Sequence, residues 1–209
     1  MRTSAPDFPA ESFDRLDASD DALFYAAPRL VAHIDPATIA ALTAYYAAIL
    51  RAGADVLDLM SSWISHLPAA PALGNVVGLG MNAAELAANP RLTRAVVHDL
   101  NQAPALPFDA ASFDYVFIAV SVQYLARPLA VFADIARVLR PGGQLVVALS
   151  HRCFPTKAVR AFHGLRGPAR MQLVAAYMQG AGGFAPAQCL DRSPPIGDPL
   201  WLVCTRTVA

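Results

Sequence analysis

Polar side chains capable of acid–base or anion-binding chemistry follow two apolar runs of this sequence. Tyr124 comes soon after the run at residues 113–119, and His151 and Arg152 come directly after the run at residues 144–149. An imidazole titrates near neutral pH and can act as a general base, while a guanidinium can clamp an anion. The same side chains can instead hydrogen-bond the backbone of loop ends, so a structural role stays open for each.

Two aspartates also stand where apolar runs end. Asp58 closes the run that begins at Val56, and Asp99 follows the run at residues 94–98. A carboxylate in such a place can accept charge-assisted hydrogen bonds from a ligand, or it can cap its own turn with no ligand present. No cluster of histidines, cysteines and carboxylates has metal-ligand spacing, and we therefore predict no metal site.

Composition favours a small-molecule enzyme over a protein that binds polyelectrolytes. Of 209 residues, 56% are hydrophobic and 15% charged, and 16 basic residues balance 16 acidic ones. Such a chain can bury a large single core, and it has no basic surplus for nucleic acid. The mean hydropathy is +0.39, but the apolar runs are far shorter than the roughly 20 residues of a spanning helix, so we expect no membrane partner.

The N-terminus and the cysteines indicate a cytoplasmic protein. Residues 1–21 are acidic and contain prolines, without the apolar centre of a signal peptide. The three cysteines, Cys153, Cys189 and Cys204, are odd in number and widely spaced. We expect them to be reduced and unlinked.

Strands and helices alternate along the chain from residue 35. Asp35 and Pro36 are typical of a helix start, and Gly53 of its end. Five apolar runs predict strands, and two amphipathic stretches predict helices between them: strands at 55–59, 75–79, 94–98, 113–119 and 144–149, helices at 83–89 and 128–139. This alternation predicts a doubly wound α/β fold with a parallel sheet, whose ligands bind at the carboxyl ends of the strands.

Two stretches of this pattern are less regular. Only one short helix fits between the first two strands, and we expect His66 there as a packed histidine near Trp63. After residue 155 we expect two helical pieces, interrupted at residues 164–168, and then strands at 187–190 and 200–207. The connection between these last strands is too short for a crossover helix, so the pair should be antiparallel, with the final strand beside the fifth.

Four stretches at strand ends, taken in order, resemble the class I SAM-dependent methyltransferases. They are Val56-Leu57-Asp58-Leu59, Val76-Val77-Gly78-Leu79-Gly80, Asp99-Leu100 with Leu106-Pro107-Phe108 and Ser112-Phe113-Asp114, and Arg137-Val138-Leu139-Arg140-Pro141-Gly142-Gly143. The resemblance implies a single Rossmann-type domain at residues 35–209, with a seven-stranded, mostly parallel sheet and an antiparallel C-terminal strand. It also implies an N-terminal arm or lid at residues 1–34, in which Tyr25 and Arg29 lie over the cofactor. From the residues alone, Tyr25 can equally be a core aromatic and Arg29 a solvated charge.

The resemblance further implies a set of cofactor contacts for S-adenosyl-L-methionine (SAM) as methyl donor. Asp58 matches an acid that accepts from loop amides and from the cofactor's ammonium group. Asp99 matches an acid that accepts from the adenine amino group, and Leu100 frames the ring. The other positions that the family places against the cofactor are Met60, Ser61, Ser62, Gly80, Met81 and Val120.

This chain departs from the family at two places. The family has a glycine-x-glycine-x-glycine loop after the first strand, whereas Met60, Ser62 and Ile64 stand at those positions. Ser61 and Ser62 can still donate hydroxyl hydrogen bonds to a carboxylate at the helix N-terminus. Gly80 stands where the family has an acid that binds the ribose hydroxyls, and either Asn82 or Glu85 can replace that acid from the next turn.

Two functions are compatible with these residues. The first is methyl transfer from SAM to a small molecule by in-line displacement, which asks the protein mainly for proximity and orientation. The second is a non-catalytic relative that binds SAM weakly, another ligand or a protein partner, and the altered loop favours this alternative. A nicotinamide-dependent oxidoreductase is disfavoured, because the chain has no GxGxxG motif and no acid at the end of the second strand.

Overall fold

One seven-stranded sheet organises the chain, of which the computed structural model describes residues 8–208. Its strands are β1 (Val56–Leu59), β2 (Val76–Gly80), β3 (Arg94–Val97), β4 (Phe113–Ala119), β5 (Leu139–Leu149), β6 (Gln188–Asp191) and β7 (Trp201–Arg206). They lie in the order β3-β2-β1-β4-β5-β7-β6, parallel from β3 to β5, with β7 antiparallel to both β5 and β6. The predicted doubly wound, seven-stranded sheet is confirmed, including the last strand beside the fifth.

Helices cover both faces of this sheet. They are α1 (Asp21–Phe24), α2 (Pro36–Ile49), α3 (Ala83–Ala87), α4 (Pro128–Val138) and α5 (Gly167–Ala181). On one face, Tyr46 of α2 stacks on Phe117 with ring centroids 4.1 Å apart. On the other face, α4 and α5 bring Phe132 and Tyr177 into one buried cluster with alternate strand residues. Successive strand side chains point to opposite faces, which is why the central strands carry buried apolar residues toward both faces.

Helix α2 begins where its sequence signals predict. The Asp35 side chain accepts a hydrogen bond from the Thr38 amide at 3.0 Å, and Pro36 occupies the first turn. This cap satisfies a backbone donor that the helix itself leaves free. Because the cap fixes the start of α2, it also fixes the end of the N-terminal segment that precedes it.

The connection between β1 and β2 contains no helix among its described residues, so the short helix predicted there is wrong. Side chains from neighbouring elements bind its backbone carbonyls instead. Asn89 Nδ2 donates to Ser62 O at 2.8 Å, and Thr43 Oγ1 donates to His66 O at 2.9 Å. Because these tertiary hydrogen bonds satisfy backbone carbonyl groups of the segment, it can be buried without forming a helix.

Strand β5 begins five residues earlier than predicted, at Leu139 rather than at residue 144. Residues 140–143, which separate the predicted helix from the predicted strand, are an irregular part of β5, with a shift of register against β4 and a positive φ of 74° at Gly142. Residues at the end of β7 donate hydrogen bonds to the backbone carbonyls of this irregular part. For example, Thr207 Oγ1 donates to Arg140 O at 2.7 Å. The first helical piece predicted after residue 155 is only a 3-10 turn, Arg160–Phe162.

The N-terminal segment lies against the carboxyl-end edge of the sheet. It contains a 3-10 turn, Ala10–Phe13, and helix α1, while residues 1–7 of the predicted arm lie outside the described residues. Ion pairs join it to the segment after β5, since Lys157 Nζ lies 3.1 Å from carboxylate oxygens of Asp17 and Asp21. Within residues 8–208, none of the helices has the length and apolar character that crossing a membrane requires.

Candidate active site

A cavity of about 610 Å³ opens at the carboxyl ends of the central strands. Its volume lies within the range of small-molecule sites, and its place is the point where the strand order reverses between β1 and β4. Residues 21–36 of the N-terminal segment supply part of its wall. All nine residues that the resemblance places against the cofactor line this cavity: Asp58, Met60, Ser61, Ser62, Gly80, Met81, Asp99, Leu100 and Val120.

Asp58 is a buried acid at the end of β1. Its side chain is 4% exposed, and its Oδ2 accepts a hydrogen bond from Ser61 Oγ at 2.5 Å. Burial raises the pKa of Asp58 to about 6, although hydrogen bonds from Ser61 and Ser65 favour the charged form. A positively charged ligand group beside this carboxyl would therefore favour its ionisation.

The loop after β1 keeps a left-handed turn without the family's glycine. Met60 has a φ of 58°, a conformation that costs a non-glycine residue free energy. The turn directs the Ser61 amide toward β2, where it donates to Leu79 O at 2.8 Å. The loop thus lies across the end of β2 rather than leading into a helix.

This path of the loop explains why residue 80 is a glycine. A Cβ atom at Gly80 would overlap the backbone carbonyl oxygen of Ser61. An acid at this position, as the family has, would therefore displace the loop. Asp at residue 80 would therefore not restore a ribose contact without moving Ser61.

The two proposed substitutes for the ribose acid both line the cavity, but they hold protein groups. Glu85 accepts from the Arg29 amide at 2.7 Å and from Ser62 Oγ at 2.6 Å. Asn82 caps α3 and donates to the carbonyl oxygen of Tyr25 at 2.9 Å. These contacts attach the N-terminal segment to the β2 side of the cavity.

The expected role of the two loop serines must also be corrected. Ser61 donates to Asp58 and Ser62 donates to Glu85, so both hydroxyl protons are used within the protein. No helix begins at this loop, and the helix N-terminus at which they were to bind a carboxylate is absent from the described chain. These hydroxyls are therefore not free to donate to a ligand carboxylate.

Asp99 combines the two roles that the sequence left open. Its Oδ1 accepts from the Asn101 amide at 2.8 Å and from the Gln102 amide at 3.3 Å, which caps the turn after β3. The side chain is half-buried and lines the cavity beside the buried Leu100. A capped turn and an acceptor facing a ligand are compatible, because a carboxylate has four lone-pair sites.

The weak catalytic candidates separate into two groups. Tyr124 and Arg152 line the cavity. Tyr124 Oη accepts from the Phe154 amide at 2.8 Å, and burial raises its pKa to about 12. Arg152 Nε lies 3.0 Å from Asp198 Oδ1, so its charge is already paired. His151 is half exposed, lies 3.2 Å from the same Asp198 oxygen, and is not among the residues that line the cavity.

His66 belongs to the site, which the sequence analysis missed. It lines the cavity, is 8% exposed, and its Nδ1 is buried without a hydrogen-bond partner among the described residues. Burial lowers its pKa to about 4, so the ring is neutral at physiological pH. Sequence spacing gave no signal for this, because irregular loop structure, with a φ of 55° at His66, places the ring.

The cavity fits SAM at its amino-acid and adenine ends and differs from the family at the ribose. The buried Asp58 suits an ammonium group, and Asp99 with Leu100 suits an adenine ring. The missing ribose acid is not replaced by a free carboxylate from Glu85. Among residues 8–208 there is no group of three or more potential ligands that could hold a metal ion.

Comparisons with known proteins agree with this geometry. Residues 61–147 match the methyltransferase domain family. A demethylmenaquinone methyltransferase of Renibacterium salmoninarum is 36% identical over 104 residues, which are 49% of this chain and 44% of that protein. A malonyl-[acyl-carrier protein] O-methyltransferase of Hahella chejuensis is 42% identical over 65 residues, which are 30% of this chain and 23% of that protein. The chain thus matches less than half the length of these curated relatives.

Solved structures share the fold at low sequence identity. A Haloferax volcanii protein, solved in complex with the Trm112 methyltransferase activator, superposes with a TM-score of 0.59. The match is 19% identical and covers 80% of this chain and 90% of that one. Agreement at this identity concerns the fold alone.

Proposed function

We propose that this chain, whose fold is that of the class I SAM-dependent methyltransferases and whose residues 61–147 match the methyltransferase domain family, transfers a methyl group from SAM to a small molecule. The observation that carries the proposal is the cavity at the strand ends, with Asp58 and Asp99 in its wall. Both acids stand where the two ends of the cofactor require acceptors. We further propose that the protein acts in the cytoplasm.

The residues of the chain bind and orient the reactants. Asp58 binds the ammonium group, Asp99 accepts from the adenine amino group, and the buried Leu100 excludes water from the ring. When bound, SAM supplies an electrophilic methyl group on a sulfonium. Methyl transfer of this kind depends mainly on holding the two reactants in line.

The acceptor side of the cavity is its β4–β5 side. Tyr124 follows β4, and Arg152 follows β5. His66, in the loop after β1, adds a neutral imidazole with an unpartnered nitrogen to the same cavity, and this ring can hydrogen-bond a hydroxyl or amine of the acceptor. These groups suit a polar methyl acceptor that is small enough for a cavity of about 610 Å³.

The altered loop favours one alternative, a non-catalytic protein of the same fold. Between β1 and β2 the chain lacks a helix, and Gly80 cannot be exchanged for the ribose acid without moving Ser61. Losing a charge-assisted pair to the ribose weakens binding by roughly ten- to a hundredfold. In this alternative the cavity binds a ligand and no methyl group is transferred.

Methyl transfer can be tested with labelled cofactor. The protein is incubated with methyl-deuterated SAM and fractions of small metabolites, and products carrying the label are sought by mass spectrometry. We expect a labelled product and an equal amount of S-adenosylhomocysteine (SAH). The Asp58→Asn variant should form neither. The control Asp109→Asn, which changes an exposed aspartate outside the cavity, should form both. Binding of SAH without any labelled product would favour the non-catalytic alternative.

A further inference from the structure

Arg29 is a cation in the cavity wall whose charge has no counterion among the described residues. Its guanidinium carbon lies 4.4 Å from the ring centroid of Phe24, 5.6 Å from that of Phe154 and 6.0 Å from that of Tyr25. Aromatic rings attract a cation but do not accept its N–H donors as a carboxylate does. Arg29 Nη1 is buried and has no hydrogen-bond partner in the described part of the chain.

The other arginine of the cavity shows the contrast. Arg152 is 58% exposed and pairs with Asp198, whereas no ion pair joins the Arg29 guanidinium to a carboxylate within residues 8–208. The Arg29 backbone is fixed, since its amide donates to Glu85 Oε1 at 2.7 Å. The structure thus holds a preorganised and unpaired guanidinium at a cavity wall, and leaving such donors unsatisfied costs stability.

We infer that Arg29 binds a carboxylate of a ligand in this cavity, an inference that rests on the proposed function for the identity of the ligand. A guanidinium and a carboxylate can form two parallel hydrogen bonds, and this pairing satisfies the buried Nη1. The carboxylate has two possible sources, the methionine part of the cofactor and an acidic methyl acceptor. The Ser61 and Ser62 hydroxyls of the loop after β1 do not compete for it, because they donate to Asp58 and Glu85.

The first arm of the test uses two adenosyl ligands that differ in the amino-acid part. SAH carries the carboxylate, and 5′-methylthioadenosine lacks it. Binding of both is measured by calorimetry for the full chain, for Arg29→Gln and for Arg160→Gln, which removes an exposed cation outside the cavity. If the cofactor supplies the carboxylate, Arg29→Gln weakens SAH roughly ten- to a hundredfold and leaves methylthioadenosine unchanged.

The second arm tests an acidic acceptor. Benzoate and acetate are titrated into the SAH-saturated protein and into the free protein. If the acceptor supplies the carboxylate, SAH binding is the same in Arg29→Gln, while a carboxylate probe binds the wild type and the Arg160→Gln control and fails to bind Arg29→Gln. A melting temperature within a few degrees of the wild type shows that Arg29→Gln is folded, and Arg29→Lys, which keeps the charge without the planar fork, should be intermediate.

Two results separate this inference from the proposed function. If SAH binds the wild type, and every probe in both arms binds the wild type and Arg29→Gln with equal affinity, the inference is wrong and the proposed function stands. If the wild type binds neither adenosyl ligand, the proposed function is wrong. In that case the titration of benzoate and acetate into the free protein tests Arg29 by itself. If the wild type binds neither carboxylate, the inference about Arg29 is wrong as well.

Discussion

The backbone carbonyl of Ser61 lies over the α-carbon of Gly80, in the space that a Cβ atom would occupy. The loop after β1 and the end of β2 are therefore packed backbone against backbone. A side chain at residue 80 and the present path of the loop exclude each other. The absence of the ribose acid is thus a consequence of the path that the loop takes at Ser61.

Gly80→Ala tests this packing. Because the overlapping atom belongs to the backbone, we expect the variant to lose about 1–3 kcal/mol of unfolding free energy in urea. Adding Ser61→Ala should not recover the loss, since that change leaves the carbonyl in place. Gly80→Asp should lower both stability and SAH affinity, and a Gly80→Ala protein as stable as the wild type would show that the loop lies elsewhere.

Asp58→Asn should stabilise the protein at neutral pH while weakening SAH binding. The pKa of Asp58 is about 6 when folded and near 3.8 when unfolded, so above pH 6 the folded state must ionise a buried group. Removing that cost should raise the unfolding free energy by on the order of 3 kcal/mol at pH 7.5.

The pH dependence gives the control for Asp58. The raised pKa means that the folded protein binds more protons than the unfolded chain between pH 3.8 and 6, so the wild type loses stability as pH rises through this window. The advantage of Asp58→Asn should therefore shrink as pH falls from about 6 toward 4. An advantage that is constant with pH would show that burial does not penalise this carboxylate.

His66 should titrate near pH 4 when followed by NMR, with His66→Gln to assign its ring signals. The lowered pKa means that the unfolded chain binds more protons between pH 4 and 6.5, so the contribution of His66 to stability is full above 6.5 and declines as pH falls. A midpoint near 6.5 would place the ring in solvent rather than in the wall of the cavity.

Lys157, the single lysine of the chain, reports on the N-terminal segment. Its side chain is fully buried between Asp17 and Asp21, and Arg15 also pairs with Asp21. An amine-acylating reagent should therefore modify Lys157 slowly in the native protein and several times faster in Asp21→Asn. Asp20→Asn, which changes a helix cap outside the ion-pair network, is the matched control. Equal rates in the wild type and Asp21→Asn would contradict a segment held by these ion pairs.

The sequence predicts the sheet well because its signals are local. The apolar run of β4 matches its prediction at both ends, Phe113 and Ala119, and the cap at Asp35 marks the start of α2. Parallel strands bring their carboxyl ends to one edge of a sheet, so the positions of Asp58 and Asp99 along the sequence are enough to assign both acids to one cavity.

The rest of the site depends on contacts between distant residues. The segment after β1 takes its shape from Asn89 and Thr43, which bind its carbonyls, and no local pattern encodes those bonds. The same holds for His66, which irregular loop structure places at the cavity, and for Arg29, whose amide is bound by Glu85. Local sequence patterns do not report such tertiary hydrogen bonds.

A calorimetric titration of SAH into the wild type, Asp99→Ala and Asp109→Ala tests the central claim most directly. Asp99→Ala removes the acceptor for the adenine amino group, whereas Asp109 is exposed and outside the cavity. We expect binding by the wild type and by Asp109→Ala, and a loss of about 1–3 kcal/mol in Asp99→Ala. Equal affinities for all three proteins would mean that the adenine does not lie at Asp99, and no binding by the wild type at millimolar SAH would contradict the assignment of the cavity to SAM.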